Sequence, residues 1–301
     1  MTQKTIKNQY EVELNEHIIK LCHKVELPLH YNYKGPKIYT NYQRIALIIL
    51  YIRSKKSLID FLQEFCETKW VSWLGLKEIP SKSVLNNWTK LFGLDFIRNL
   101  LSIQVKNETP SIMAIDATGI DSWKRSRHYE KRIRDFGHKD HVPYAKADIL
   151  IDTDTRIIHD WVLRIKPRHD TLGATTIFQR FKQKNILILA DRGYDSEPLH
   201  KEVVKQGNLL FAPVRNHKKN PGGYNRKRCA KGNDLYAKRN TVESVMHSIK
   251  SIKPELRSKL HYLKKREMGW TVIFYNIKKM ININNIANLI FEYYFKNLFW
   301  I

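Results

Sequence analysis

Residues 185–196 read NILILADRGYDS. Asn185 to Ala190 is a fully apolar run of strand length, which predicts a strand buried on both faces. It delivers Asp191 at its end, and Gly193 allows a tight turn there. A helix from about Glu197 to Gln206 follows, then a strand from Leu209 to Pro213. Upstream, Ser111 to Thr118 (SIMAIDAT) is a short apolar run that reaches Asp116. Tyr144 to Asp152 (YAKADILID) and Ile157 to Lys166 (IIHDWVLRIK) are two further strand-like runs. The short link from Asp152 to Arg156 implies an antiparallel hairpin, and Leu172 to Phe181 reads as a helix. Three early strands followed by alternating helix and strand predict an α/β fold, a mixed sheet with helices on its faces.

Before Pro110 the pattern is helical. Apolar residues in Ile45 to Ile52, and at Leu58, Ile59, Leu62 and Phe65, recur at helical spacing, with Ser57 as a cap. After Pro80 another amphipathic helix carries Val84, Leu85, Trp88, Leu91 and Phe92, with Lys82, Asn86, Asn87 and Lys90 on its exposed side. Residues 1–108 are therefore expected to form a helical region compatible with a helix-turn-helix module. The charged run Ser122 to Asp140 is expected as an exposed excursion between the first two strands. The basic, Gly- and Asn-rich segment 217–235 is expected as a loop over the site.

Composition narrows the partner. The 301 residues carry 53 Lys and Arg against 29 Asp and Glu, a formal charge of +24. Such an excess points to a polyanion, most often nucleic acid. Between Arg215 and Lys279 there are 18 Lys and Arg against 4 acids, so the polyanion is expected to run past the carboxyl-terminal third. Three cysteines without a CxxC pair suggest a reducing compartment and no structural zinc. The longest apolar run, Ile45 to Ile52, is too short to span a bilayer, and no leader opens the chain; the expectation is a soluble, cytoplasmic protein.

The chemistry-bearing residues lie at strand ends and on one helix. Asp116 and Asp191 each close an apolar strand, at the sheet edge where ligands usually bind. Tyr236 to Lys250 (YAKRNTVESVMHSIK) places Tyr236, Arg239, Glu243 and Lys250 within roughly 60° of helical arc. Val242, Val245, Met246, Ile249 and Ile252 form the neighbouring apolar sector, and Pro254 must end the helix. Asn240 with Glu243 has the spacing of a capping box, in which case Tyr236 and Arg239 precede the helix proper. Three converging carboxylates suit hard divalent cations, with Arg and Lys gripping phosphate oxygens beside them. Asp121, Asp148, Asp152, Asp195 and Glu197 are competing acids among which spacing alone does not choose. Of His128, His138, His141, His159 and His169, none suits Mg²⁺ as an imidazole ligand. Trp123 and Trp161 are expected to be buried rather than to stack on bases.

AIDAT around Asp116, LADRGYDS around Asp191 and the ungapped Tyr-x2-Arg-x3-Glu-x6-Lys at 236, 239, 243 and 250 resemble the DDE transposases of prokaryotic insertion sequences. The likeness is to the superfamily with the Tyr-Arg-Glu-Lys motif, and it covers about 111–280. Intervals of 75 residues from Asp116 to Asp191 and 52 from Asp191 to Glu243 resemble the branch with a short second interval. The resemblance implies an RNase H-like catalytic domain over 109–301, with a helical extension from about 254, and an element-end-binding role for 1–108. It implies two Mg²⁺ or Mn²⁺ ions held by Asp116, Asp191 and Glu243, with Tyr236, Arg239 and Lys250 at the DNA. The implied reaction is cleavage at element ends and transfer of the 3′-OH into target DNA, by at least a dimer on double-stranded DNA in the prokaryotic nucleoid. A nuclease of the same fold without strand transfer, and a catalytically silent DNA-binding regulator, are the alternatives.

Overall fold

The computed structural model describes residues 3–32, 34–122, 145–165, 169–215 and 222–298. The excursion from 123 to 140, with Trp123, His128 and His138, lies outside the described residues, as do His141 and 216–221. Internal contacts divide the chain into two units, Met1–Lys106 with Gly269–Ile301, and Asn107–Met268.

The first unit is helical: α1 Gln3–Lys24, α2 Asn41–Ser54, α3 Leu58–Phe65, α4 Trp70–Trp73, α5 Lys82–Leu91 and α6 Leu94–Gln104, joined by the later part of α11, His261–Leu298. α2 is its centre, with Ile45 to Leu50 buried all round, as an apolar stretch without a polar stripe requires. A capping box between Thr40 and Gln43 starts α2, and the Gln43 amide also donates to the Leu74 carbonyl at 2.8 Å. Ser57 and Ser81 cap α3 and α5 through their side chains. α5 buries Leu85 and Trp88 and leaves Lys82, Asn87 and Lys90 exposed, with Asn86 half-buried. The helical extension expected from about 254 is α11, one helix from His261. No proline interrupts it, and Asn282 and Asn284 lie on its exposed side.

The second unit is built on a mixed sheet of β1 Ile112–Ser122, β2 Ala145–Asp152, β3 Ile158–Arg164, β4 Leu187–Ala190 and β5 Leu209–Phe211, in the order β3-β2-β1-β4-β5. β1 to β3 are antiparallel neighbours, and β4 and β5 continue parallel to β1. This is the RNase H-like arrangement. A two-residue β6, Glu255–Leu256, pairs with the end of β1. One face buries Met113, Ile115 and Leu150 under α7, Asp170–Arg180, and α8, Glu197–Lys205. On the other face Leu189 and Phe211 pack with Cys229 of α9, Tyr224–Cys229, and with Tyr236. α10, Thr241–Ile252, buries Val242, Val245, Met246, Ile249 and Ile252, the sector its spacing predicts.

One irregularity sits in the hairpin. Leu150 pairs with Asp160 and Ile151 with Ile158, so His159 is the extra residue of a β-bulge. Its ring is buried, and neither nitrogen has a hydrogen-bond partner among the described residues. Burial lowers its pKa to about 4, against the pull of Asp152. The unfolded chain binds this proton near pH 6.5, so stability is full above that value and falls as pH drops toward 4, by roughly 3 kcal/mol for a shift of this size. Thermal unfolding from pH 7 to pH 4.5 is expected to show a shallower loss in His159→Phe than in the wild type. Equal slopes in the two proteins would refute this account.

Candidate active site

β1 and β4 run parallel, and Ile115 pairs with Ala190. One residue beyond that pair, Asp116 and Asp191 stand at neighbouring strand positions. The Asp116 Oδ1 accepts the Ala117 N–H at 2.8 Å, and its Oδ2 accepts Arg239 Nη2 at 2.7 Å. Burial and, after it, the charge of Asp191 push the Asp116 carboxyl above its ordinary value despite the Ala117 N–H and Arg239. Asp191 opens a 3-10 turn, Arg192–Tyr194, with its Oδ1 accepting the Gly193 N–H at 2.7 Å. A Cβ at 193 would stand 2.8 Å from that oxygen, which is why glycine serves here.

The approach to α10 differs from the capping-box expectation. Asn240 is in helical conformation and makes no side-chain cap, because a 3-10 helix over Asp234–Asn240 runs straight into α10. Tyr236 and Arg239 lie on that 3-10 helix, where residues three apart eclipse, so they share a side for a different reason than a common α-helical stripe. The Tyr236 ring meets Phe211 edge-on with centroids 5.4 Å apart, and burial raises the phenol's pKa. Arg239 reaches back to Asp116 and forward to Glu243, whose Oε1 accepts Nη1 at 3.1 Å. The Glu243 side chain is 60% exposed. Lys250 is exposed two turns further along α10.

Of the six sequence-selected residues, Asp116, Asp191, Tyr236, Arg239 and Glu243 thus gather where β4 ends beside the middle of β1; Asp116 does not close its strand as its apolar run suggested, because β1 continues to Ser122 in its pairing with β2. Among the described residues no three His, Cys, Asp or Glu side chains stand together as a formed metal cage, because a guanidinium separates Asp116 from Glu243. The arrangement nevertheless suits divalent metal. The charge of Asp191 adds to the cost of ionising the buried Asp116, and Arg239 already stands between two acids as a cation.

The competing acids have other partners. Asp148 is fully buried on the opposite face of β1–β2, in a bidentate pair with Arg164 at 2.7 and 2.8 Å, and burial holds its pKa up at about 6 against that arginine. Gly173 of α7 lies against it; a Cβ there would fall 2.2 Å from Asp148 Oδ2. Asp152 accepts from Asp154 N–H and Thr155 Oγ1 in the hairpin turn. Asp195 pairs with Arg226, and Glu197 accepts from Asn225 and the Arg226 N–H. Asp121 continues β1 opposite Glu255. Trp161 is buried, as expected. Residues that spacing did not select are Asp170, which joins Arg164 at 3.1 Å and also pairs with Lys146, and Arg215, which binds the turn after Asp191.

Fold and acids together define an RNase H-like domain with an acidic site where β4 ends beside the middle of β1. The profile of the transposase DDE domain family matches residues 107–277, more than half of the chain, and the chain belongs to that family. Its structure is similar to that of a piggyBac transposase solved by cryo-electron microscopy in a synaptic complex with hairpin DNA, with 12% identity, 91% of this chain and 74% of that chain covered and a TM-score of 0.43. No curated protein matches it. No described helix is long and apolar enough to cross a membrane.

Proposed function

We propose that this transposase-family chain is an insertion-sequence transposase of the Tyr-Arg-Glu-Lys branch, which cuts DNA at the element's ends and joins the 3′-OH to target DNA. The observation that carries the reading is the Arg239 guanidinium joining Asp116 at 2.7 Å and Glu243 at 3.1 Å beside Asp191. Residues from three elements distant in sequence meet there in the order the motif requires. Asp116, Asp191 and Glu243 would hold two Mg²⁺ or Mn²⁺ ions, which supply activation of the attacking oxygen and stabilisation of the leaving oxygen at a phosphodiester. Asp116 and Asp191 fix the site rigidly, since Asp116 sits within the central strand β1 and Asp191 directly follows the buried β4. Glu243, exposed on the first turn of α10, approaches from the solvent side. Arg239 exchanges its carboxylates for a phosphate oxygen when DNA arrives, and Lys250 holds the flanking backbone as a point charge. Tyr236, packed on Phe211, fixes the side of the cleft that faces the cleaved end. The helical region 1–108 binds the element end, with α5 and its exposed Lys82, Asn87 and Lys90 as the reading surface. At least two chains act on one pair of ends.

The full chain, incubated with Mn²⁺ and DNA carrying both element ends beside a supercoiled target, is expected to release 3′-OH ends and produce joined molecules. Precut ends that join to nothing, with nicking intact, would replace this reading by a nuclease. Neither nicking nor joining would leave a DNA-binding regulator.

A further inference from the structure

Arg215 opens the most basic stretch of the chain, yet its side chain points inward, to the turn that carries Asp191. Nε donates to the Arg192 carbonyl at 2.8 Å and Nη2 to the Gly193 carbonyl at 2.9 Å. Nη2 also lies 3.3 Å from Nε2 of His169, the residue that precedes α7. The Arg215 N–H donates to Asp195 Oδ2 at 2.9 Å. Asp195 is a fully buried carboxylate, and Arg226 closes its other side through Nε at 2.6 Å and Nη2 at 2.7 Å. The turn from Asp191 to Asp195 is thereby fastened at both ends. Inside it, Asp191 accepts from Gly193, and the Tyr194 N–H donates to the Asp191 carbonyl at 3.1 Å.

Within the short 3-10 turn the Arg192 carbonyl accepts the Asp195 N–H at 3.3 Å. The planar fork of one arginine reaches that carbonyl and the next, of Gly193, at once, which an ammonium matches poorly. Arg192 and Gly193 are the two residues following Asp191, so the clasp sets the backbone from which that carboxylate projects. We infer that Arg215 is a positioning residue for Asp191, locked by Asp195 and Arg226, and that it is not one of the cations that contact DNA. The inference rests on the proposed metal-binding role of Asp191. It also removes Arg215 and Arg226 from the basic face that sequence counting assigns to the polyanion.

Two readouts separate positioning from phosphate binding. A phosphate-contacting cation contributes about 0.9 to the slope of log affinity against log salt on duplex DNA. Replacing a group that orients a metal ligand costs roughly 10–100-fold in metal affinity or activity. Arg215→Gln and Arg215→Lys in the full chain are to be compared with wild type by salt-dependent binding to end DNA and by calorimetric Mn²⁺ titration of the DNA complex. Arg215→Gln is expected to keep the wild-type salt slope, weaken Mn²⁺ binding about tenfold and slow nicking at saturating DNA by roughly 10–100-fold. Arg215→Lys, which preserves charge and bulk, is expected to fall between the two. A slope lower by about one unit, with wild-type Mn²⁺ binding in both variants, would overturn the inference. Asp191→Ala is the control. If it nicks like wild type, the active-site reading fails; if it is inert while both Arg215 variants bind Mn²⁺ like wild type, the clasp alone fails.

Discussion

Asp116→Ala is expected to reduce DNA cleavage by about 10³-fold or more while leaving end-DNA affinity at or slightly above that of the wild type. Metal held at a reacting phosphodiester supplies several kcal/mol of transition-state stabilisation, and each 1.4 kcal/mol or so is a factor of ten in rate. Asp116 is the most rigid member of the candidate set. It lies in the middle of β1, between β2 and β4, with one oxygen fixed by the Ala117 N–H. Asp148, Asp152, Asp195 and Glu197 cannot replace it, because each is engaged in its own hydrogen bonds. Removing a negative charge from the cleft makes its potential more positive, so phosphate binding is not expected to suffer. Stability supplies a second check. The folded state raises the Asp116 pKa, so the unfolded chain gives up this proton more readily, and the ionised group lowers stability at neutral pH. Asp116→Asn is accordingly expected to unfold at the wild-type temperature or a little above it. Cleavage within tenfold of wild type, or collapse of the fold in Asp116→Asn, would exclude the role given to this carboxylate.

The parts of this molecule that could be read from sequence are those set by local apolar pattern. Leu187 to Ala190 is a strand because an apolar run this short buries itself best between two neighbouring strands, and its position after a hairpin and a helix leaves few sheet orders open; Asn185, exposed and at a φ of 61°, belongs to the turn before it. The cap at Ser57 follows from a side chain and its own next turn. What could not be read depends on partners distant in the chain. Asp148 and Asp195 look equivalent to Asp116 and Asp191 until Arg164, 16 residues from Asp148, and Arg226, 31 residues from Asp195, are placed against them. Counting cations gave Arg215 and Arg226 to the surface, since charge composition carries no direction. The capping box at Asn240 failed for a different reason. A cap requires a non-helical residue before the helix, and the 3-10 helix over Asp234–Asn240 removes that residue.

Arg239→Gln is expected to raise the affinity of the DNA-free protein for Mn²⁺ by roughly 10–100-fold while slowing cleavage by a similar factor. In the free protein the guanidinium is a resident monovalent cation, 2.7 Å from Asp116 and 3.1 Å from Glu243. Hydrogen bonds to charged groups contribute about 1.5–3 kcal/mol each, so an ion that claims these carboxylates must first overcome at least one of them. At about 1.4 kcal/mol per decade, that is one to two orders of magnitude in binding constant. A phosphate oxygen offers the same guanidinium an equivalent planar partner. If the proposed roles hold, DNA binding and metal binding are coupled through a single side chain, and linkage requires the coupling to be the same in both directions. Calorimetric titration of wild type is expected to show weak Mn²⁺ binding alone and tighter binding on DNA, whereas Arg239→Gln binds tightly in both states and loses the difference. If Arg239→Gln binds Mn²⁺ no better than wild type in the absence of DNA, Arg239 is a phosphate ligand that merely rests on the acids, and it exerts no control over the metal. On the proposed reading, this coupling would account for an arginine between the acids of a metal site. Carboxylates matched with Arg239 until a phosphate displaces it would gain metal most strongly with the substrate in place, and cleavage would be confined to bound DNA.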